Sequence, residues 1–250
     1  MIWIIDNFVY CKYTALILAR GGSKQIPKKN LAVVEKKTLL KRTIDVAKAA
    51  GIFEDVWVST DNLDIYREAE FAGAKVFGRS EKSSSDIATS LEAVQEFSDF
   101  FSNLTAIALL QCTSIFQSTF YLRKAHYMME NLKYDSVFSA VRNFKLLWRR
   151  HLDKTYTPLN FNIKLRPRRQ NISNEFAENG MFYWFRTKLL SSGILQGGKI
   201  GLVEIPLERS LEIDSYDNLK YAEFIAPKII PFIEWENSVC LPEEEQWHNS

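Results

Sequence analysis

The chain has 250 residues, and 32 Lys and Arg against 30 Asp and Glu leave a net charge of only +2. With 46% of residues apolar it is a globular chain, and the near balance of charge argues against nucleic acid as the main partner. The length suits one α/β domain with at most a small extension. Cys11, Cys112 and Cys240 lack metal-ligand spacing and cannot all pair, so buried free thiols are expected rather than a disulfide framework. His126, His151 and His248 are scattered, which gives no support for a zinc site or a Ser-His triad.

Residues 1–12 are apolar at Met1-Ile2-Trp3-Ile4-Ile5 and Phe8-Val9-Tyr10-Cys11, but Asp6 and Asn7 interrupt them. No basic residue precedes the run, which makes a poor signal peptide, and nothing in the chain approaches the ~20 apolar residues of a spanning helix. Two readings stay open: an extra strand or hook packed on the domain, or a targeting element. The sequons at Asn103 and Asn171 do not decide between them.

Tyr13 to Leu18 is an almost continuous apolar run, as expected of a central strand buried on both faces. It opens into Ala19-Arg20-Gly21-Gly22-Ser23-Lys24-Gln25-Ile26-Pro27-Lys28-Lys29-Asn30. Two glycines free the backbone to turn and approach a ligand, while Arg20, Lys24, Lys28 and Lys29 supply charge with no acid before Glu35. Such a loop is suited to a polyanion, above all a triphosphate. Neither the Walker nor the Rossmann glycine spacing fits, which speaks against a P-loop ATPase and a dinucleotide oxidoreductase.

Strands and helices then alternate, the pattern of a mostly parallel sheet covered by helices. A helix carries Leu39, Leu40, Ile44, Ala47 and Ala50 on one face and ends at Gly51. A strand over 55–59 leads to Thr60 and Asp61, and two readings stay open there: a cap on a helix through Ile65, Ala69 and Phe71, or contact with a ligand. A short strand follows at 75–77, a helix over 86–101, and a second buried strand over 105–110 that ends in Gln111-Cys112-Thr113-Ser114. Next come a helix around 121–132 and a strand over 136–140. From about 142 to 171 aromatics, prolines and bases mix without periodicity, which reads as an extension inserted into the domain. Strands at 182–185 and 203–206 and a helix over 216–225 complete the domain, taken as 13–236. Residues 237–250 form a tail expected to fray. Glu212-Ile213-Asp214 places two carboxylates one residue apart, on one face if the segment is an extended strand, which is a geometry for Mg²⁺.

Several of these segments carry a resemblance. The loop from Leu18 to Asn30 matches Leu-Ala-Arg-Gly-Gly-Ser-Lys-x-Ile-Pro-x-Lys-Asn, the signature of the cytidylyltransferases that activate acidic sugars. Arg166 to Gln170, followed by Glu178-Asn179-Gly180-Met181-Phe182-Tyr183, is a second match. The chain is similar over residues 13–227 to the N-acylneuraminate cytidylyltransferases, in particular their insect-like animal form. The resemblance implies a Rossmann-like nucleotidyltransferase fold in which CMP passes from CTP to N-acetylneuraminate and pyrophosphate leaves. It assigns CTP to Arg20, Gly22, Ser23, Lys24, Lys29, Asn30, Arg79 and Ser90. The sugar goes to Gln111, Arg169, Asn179 and Tyr183, catalysis to Arg20, Lys24 and Asp214, and Mg²⁺ to Asp214 and Glu212. The chain departs from the family's Asp-Ile-Asp at Glu212 and from its Gln-x-Thr-Ser-Pro at Ile115, where a looser turn is expected. The resemblance also implies a homodimer through residues 142–171 and a Golgi location, with nucleus or cytoplasm as the alternative. A KDO-like sugar acceptor, or a weakened sugar-nucleotide binding protein, is the competing function.

Overall fold

The computed structural model describes residues 13–23, 25–101, 103–168, 171–172 and 175–238. β1 (Tyr13–Leu18) leads through the loop to a small hairpin, β2 (Val33–Val34) and β3 (Lys37–Thr38), and then to α1 (Leu39–Ala50). The Thr38 hydroxyl caps α1 by accepting from Lys41 N, and Gly51 ends it with φ of 67°, a left-handed turn that only glycine enters freely. β4 (Asp55–Thr60), α2 (Leu63–Phe71) and β5 (Lys75–Gly78) follow. A one-turn α3 (Glu81–Ser84) precedes α4 (Ser90–Phe100), which opens on a reciprocal cap between Thr89 and Glu92. The helix expected over 86–101 thus starts later, because the serines and Thr89 spend their hydroxyls on local turns.

After β6 (Ala106–Leu110) come α5 (Thr119–Glu130) and β7 (Ser136–Arg142). The aperiodic stretch beyond β7 contains a two-stranded hairpin, β8 (Trp148–Arg150) and β9 (Tyr156–Pro158). β10 (Phe176–Arg186) is more than twice the length expected, because Gly180 (φ 68°) and a register shift between Glu178 and Tyr183 carry one strand past a bulge. β11 (Ile200–Glu204) and α6 (Tyr216–Ser238) end the domain. α6 does not stop at Ile225. It runs through Pro227 and Pro231, both exposed, while Ala222, Ala226, Ile230 and Ile233 hold its inner face. On the solvent side water can satisfy the carbonyls that proline frees.

The main sheet has the order β11-β7-β10-β6-β1-β4-β5, with β10 antiparallel to both neighbours and every other pairing parallel. The continuous apolar strands follow from this layering. Ala15 and Ile17 face a core shared with α1, α2, α5 and α6, whereas Leu16 faces a second core with Val94 and Phe97 of α4. Phe97 is fully buried with its ring against those of Trp57, Phe77 and Phe101. Phe97→Ala is expected to lower unfolding free energy by about 3–5 kcal/mol in urea titration. A loss below about 1 kcal/mol would mean that this face relaxes freely. No helix among the described residues is long and apolar enough to cross a membrane.

Candidate functional site

The carboxyl ends of β1 and β6 open onto a cleft of about 510 Å³. Strand ends supply Leu18, Leu109 and Leu110, and the loop after β1 adds Arg20, Ser23, Gln25, Lys29 and Asn30. Ser90 stands at the start of α4, Gln111, Cys112 and Thr113 follow β6, and Asp214 comes from the segment before α6. This is where open α/β sheets bind ligands, beyond the carboxyl ends of parallel strands.

The loop is held by its own side chains. Asn30, 8% exposed, donates from Nδ2 to the Arg20 carbonyl at 3.2 Å. Arg20 Nη1 donates to the Ser85 carbonyl at 3.0 Å and stands 3.2 Å from Asp86 Oδ1, which fixes the guanidinium at the cleft wall. A methyl group at Gly22 would meet open space, so the backbone there is free for a ligand to approach. Lys24 lies outside the described residues. Arg79 does not line the cleft; it donates to the Ser83 carbonyl. Burial lowers its pKa, and the like charge of Arg20 acts in the same direction, so the two guanidinium groups are neighbours.

Across the cleft Lys29 Nζ meets Asp214 Oδ1 at 2.9 Å, a contact between residues 185 apart in sequence. Glu212 is half-buried and accepts from the Thr113 hydroxyl at 3.3 Å. Burial pushes its carboxyl above the ordinary range and the Asp214 charge adds to this. Residues 210–215 do not form a sheet strand. The segment is pinned by Ile213 N donating to the Thr113 carbonyl at 2.9 Å, with Ile213 fully buried. The two carboxylates therefore share a neighbourhood because Ile213 between them is anchored. The described residues hold no cluster of three or more acidic, His or Cys ligands.

The turn after β6 is not loose at Ile115, which is 3% exposed and joins the core. Ser114 N and Gln117 Nε2 both donate to the Gln111 carbonyl, closing the turn. Burial pushes the Cys112 thiol up to about 12, so it lines the cleft as an inert wall rather than a nucleophile. Of the residues assigned to the sugar, Gln111 faces the cleft. Asn179 is buried beside the β10 bulge, with Nδ2 on Ser210 Oγ at 3.2 Å and Oδ1 accepting from Met181 N at 3.3 Å. The Tyr183 hydroxyl donates to Glu178 Oε2 at 3.0 Å, and burial together with that carboxylate raises its pKa. Arg169 lies outside the described residues.

Sequence reasoning passed over Gln25 and Asn62 and left Asp61 between a helix cap and a ligand contact. Gln25 faces the cleft although it stands in a signature position that tolerates any residue. Asn62, not Thr60 or Asp61, caps α2 by accepting from Asp64 N and Ile65 N. That leaves the Asp61 carboxylate for the loop, where Oδ1 accepts from Gly21 N at 2.8 Å.

This sheet order with a cationic loop at the head of β1 defines a nucleotidyltransferase architecture. The chain superposes with a TM-score of 0.65 on 4-diphosphocytidyl-2C-methyl-D-erythritol synthase from Anaerococcus prevotii, at 13% identity, covering 87% of this chain and 99% of that one. It matches CMP:2-keto-3-deoxy-manno-octonic acid synthetase complexed with CTP equally well, at TM-score 0.65 and 14% identity over 87% and 99% of the two chains. At such identities the likeness shows the fold alone. The model of the cytidylyltransferase family matches residues 14–193, and the chain belongs to that family. It is 40% identical over 204 residues to N-acylneuraminate cytidylyltransferase A of Danio rerio, covering 80% of this chain and 47% of that protein. It is 29% identical over 213 residues to N-acylneuraminate cytidylyltransferase of Streptococcus agalactiae serotype III, covering 83% and 51%. The chain spans about half the length of the curated relatives it matches.

Proposed function

We propose that this chain transfers CMP from CTP to N-acetylneuraminic acid, giving CMP-N-acetylneuraminate and pyrophosphate. The observation that carries the reading is the cleft itself. A loop bearing Arg20 and Lys29 faces the Asp214 carboxylate across a polar floor at Gln111, in a chain similar over most of its length to proteins named N-acylneuraminate cytidylyltransferase. In the step, the anomeric hydroxyl oxygen forms a bond to the α-phosphorus and the bond to the β-phosphate bridging oxygen breaks. Pyrophosphate takes that electron pair, and the hydroxyl proton goes to solvent or a nearby base. Positioning and charge neutralisation supply most of the rate in such transfers. Arg20, locked by Ser85 and Asp86, would neutralise triphosphate oxygens, and Ser23 and Asn30 would hold the chain of phosphates against the loop. Leu18, Leu109 and Leu110 would exclude water from one side of the nucleotide.

Glu212 and Asp214 fit a divalent cation. Asp214 offers a hard oxygen donor in the cleft, Glu212 stands close enough that burial and then the Asp214 charge raise its pKa, and Mg²⁺ commonly rests on one or two carboxylates plus substrate phosphates. When bound, Mg²⁺ would add Lewis-acid neutralisation of the phosphate oxygens.

The hairpin arm is read as a homodimer contact. Trp148 and Tyr156 are exposed on it, Trp148 meets Phe161 edge-to-face, and Arg166 lies over the Phe161 ring, an aromatic and arginine set of the kind that anchors interfaces. Trp148→Ala is expected to lower self-association in sedimentation at micromolar concentration and to weaken sugar use, with CTP affinity little changed. A monomeric, fully active parent would refute this. Residues 1–12, outside the described region, are read as directing the chain to the Golgi on the strength of the apolar run Ile2 to Val9. Imaging a tagged chain without them checks it, since an unchanged Golgi pattern removes their role.

Calorimetry with CTP beside a pyrophosphate-release assay with N-acetylneuraminate tests the enzymatic reading. Binding together with release supports a transferase, and binding without release makes the chain a sugar-nucleotide binder.

A further inference from the structure

The loop after β1 meets the end of β4 in a way that catalysis alone would not require. A carboxylate at the edge of a triphosphate site repels its ligand unless its charge is committed elsewhere. Asp61 does not line the cleft but touches the loop that does, and its commitment is visible: Oδ1 accepts from the Gly21 amide at 2.8 Å, and its charge opposes the lowering of the Arg79 pKa. The Ser23 amide is likewise engaged, donating to the Gly21 carbonyl at 3.1 Å. Two amides of the glycine turn are therefore spent within the protein rather than offered to phosphate. The neighbouring side chain completes the fit, because a Cβ on Gly21 would come within 2.8 Å of Asn62 Cβ and 2.9 Å of Asn62 Nδ2. Asn62 cannot swing away without releasing the amides at the start of α2. Further along, Arg79 N donates to the Thr60 carbonyl at 2.9 Å, so the same corner also anchors the segment that follows β5.

We propose that Asp61 is a positioning residue for nucleotide binding. It acts as a hydrogen-bond acceptor that clamps Gly21 onto Asn62 and so sets the direction in which Arg20 and Ser23 enter the cleft. The carboxylate's charge is incidental to this task and its acceptor oxygen is essential. The glycine at 21 is needed for close approach to Asn62, since its φ is not in the left-handed region. The proposal rests on the reading of the cleft as the CTP site.

The test uses the full chain, with CTP affinity by calorimetry, kcat/KM for CTP and thermal unfolding read on each variant. Asp61→Ala is expected to weaken CTP binding and kcat/KM by about 10-fold, the upper end for loss of one hydrogen bond, at an unchanged Tm. Asp61→Asn keeps an acceptor and should stay within about 3-fold of the parent, a cost below one neutral hydrogen bond. Gly21→Ala should fall as Asp61→Ala does, and adding Asn62→Gly to it should recover much of the loss, which a merely structural role would not produce. Asp61→Ala equal to the parent, Asp61→Asn as poor as Asp61→Ala, or no recovery in the double variant would each overturn the proposal. A parent that binds CTP without turnover refutes the transferase reading and leaves Asp61 to be judged on affinity. A parent that binds no CTP overturns both.

Discussion

Arg20→Ala is expected to cut turnover at least ~10²-fold, the usual cost of losing one pre-organised charge stabiliser. The reason lies in how little Arg20 can move. The Ser85 carbonyl and Asp86 hold one side of its guanidinium, and Asn30 holds its own carbonyl, so its remaining donors face the cleft without a further ordering cost. Lysine could not replace it, because a single ammonium cannot both rest on the 85–86 loop and bridge phosphate oxygens. Steady-state kinetics on a variant with parental Tm checks this. Turnover near that of the parent would remove the loop from the chemistry.

Asp214→Asn is expected to abolish Mg²⁺-dependent turnover while leaving CTP binding partly intact. The carboxylate is exposed and its ion-pair partner among the described residues is Lys29, so its loss should leave the fold standing. It changes the charge balance instead, freeing Lys29 and removing a hard oxygen donor. Pyrophosphate release titrated with Mg²⁺, read beside CTP calorimetry, separates the effects. Glu212→Ala run in parallel decides whether the longer, half-buried carboxylate takes part, since a titration identical to the parent's would exclude it.

Much of this was legible in the sequence because the strongest signals are local. The run Tyr13 to Leu18 is apolar at every position but Thr14 since the two cores press on alternate residues of β1, and such runs identify a central strand without any partner being known. The cationic loop was legible from composition, and the structure brings Arg20, Ser23, Lys29, Asn30, Ser90, Gln111 and Asp214 to one cleft. What sequence missed depends on distant partners. Pro227 reads as a helix end, yet Ala226, Ile230 and Ile233 pack firmly enough to carry α6 past it. Glu212 and Asp214 read as neighbours on a strand, but they are placed by one hydrogen bond from Ile213 to a turn a hundred residues earlier. Asp61 reads as a helix cap until Asn62 is seen in that role. Asn179 reads as a hydrogen-bonding contact for the sugar, and only the fold shows its amide bonded to Ser210 and the Met181 backbone.

The central claim is that this cleft joins CMP to N-acetylneuraminate. The most direct measurement is pyrophosphate release and mass-resolved product from CTP with a panel of acidic sugars, N-acetylneuraminate and KDO among them, in the presence of Mg²⁺. The account predicts CMP-N-acetylneuraminate as the main product and a kcat/KM for N-acetylneuraminate well above that for KDO. Equal or greater use of KDO, or CTP binding without any CMP-sugar, would contradict it.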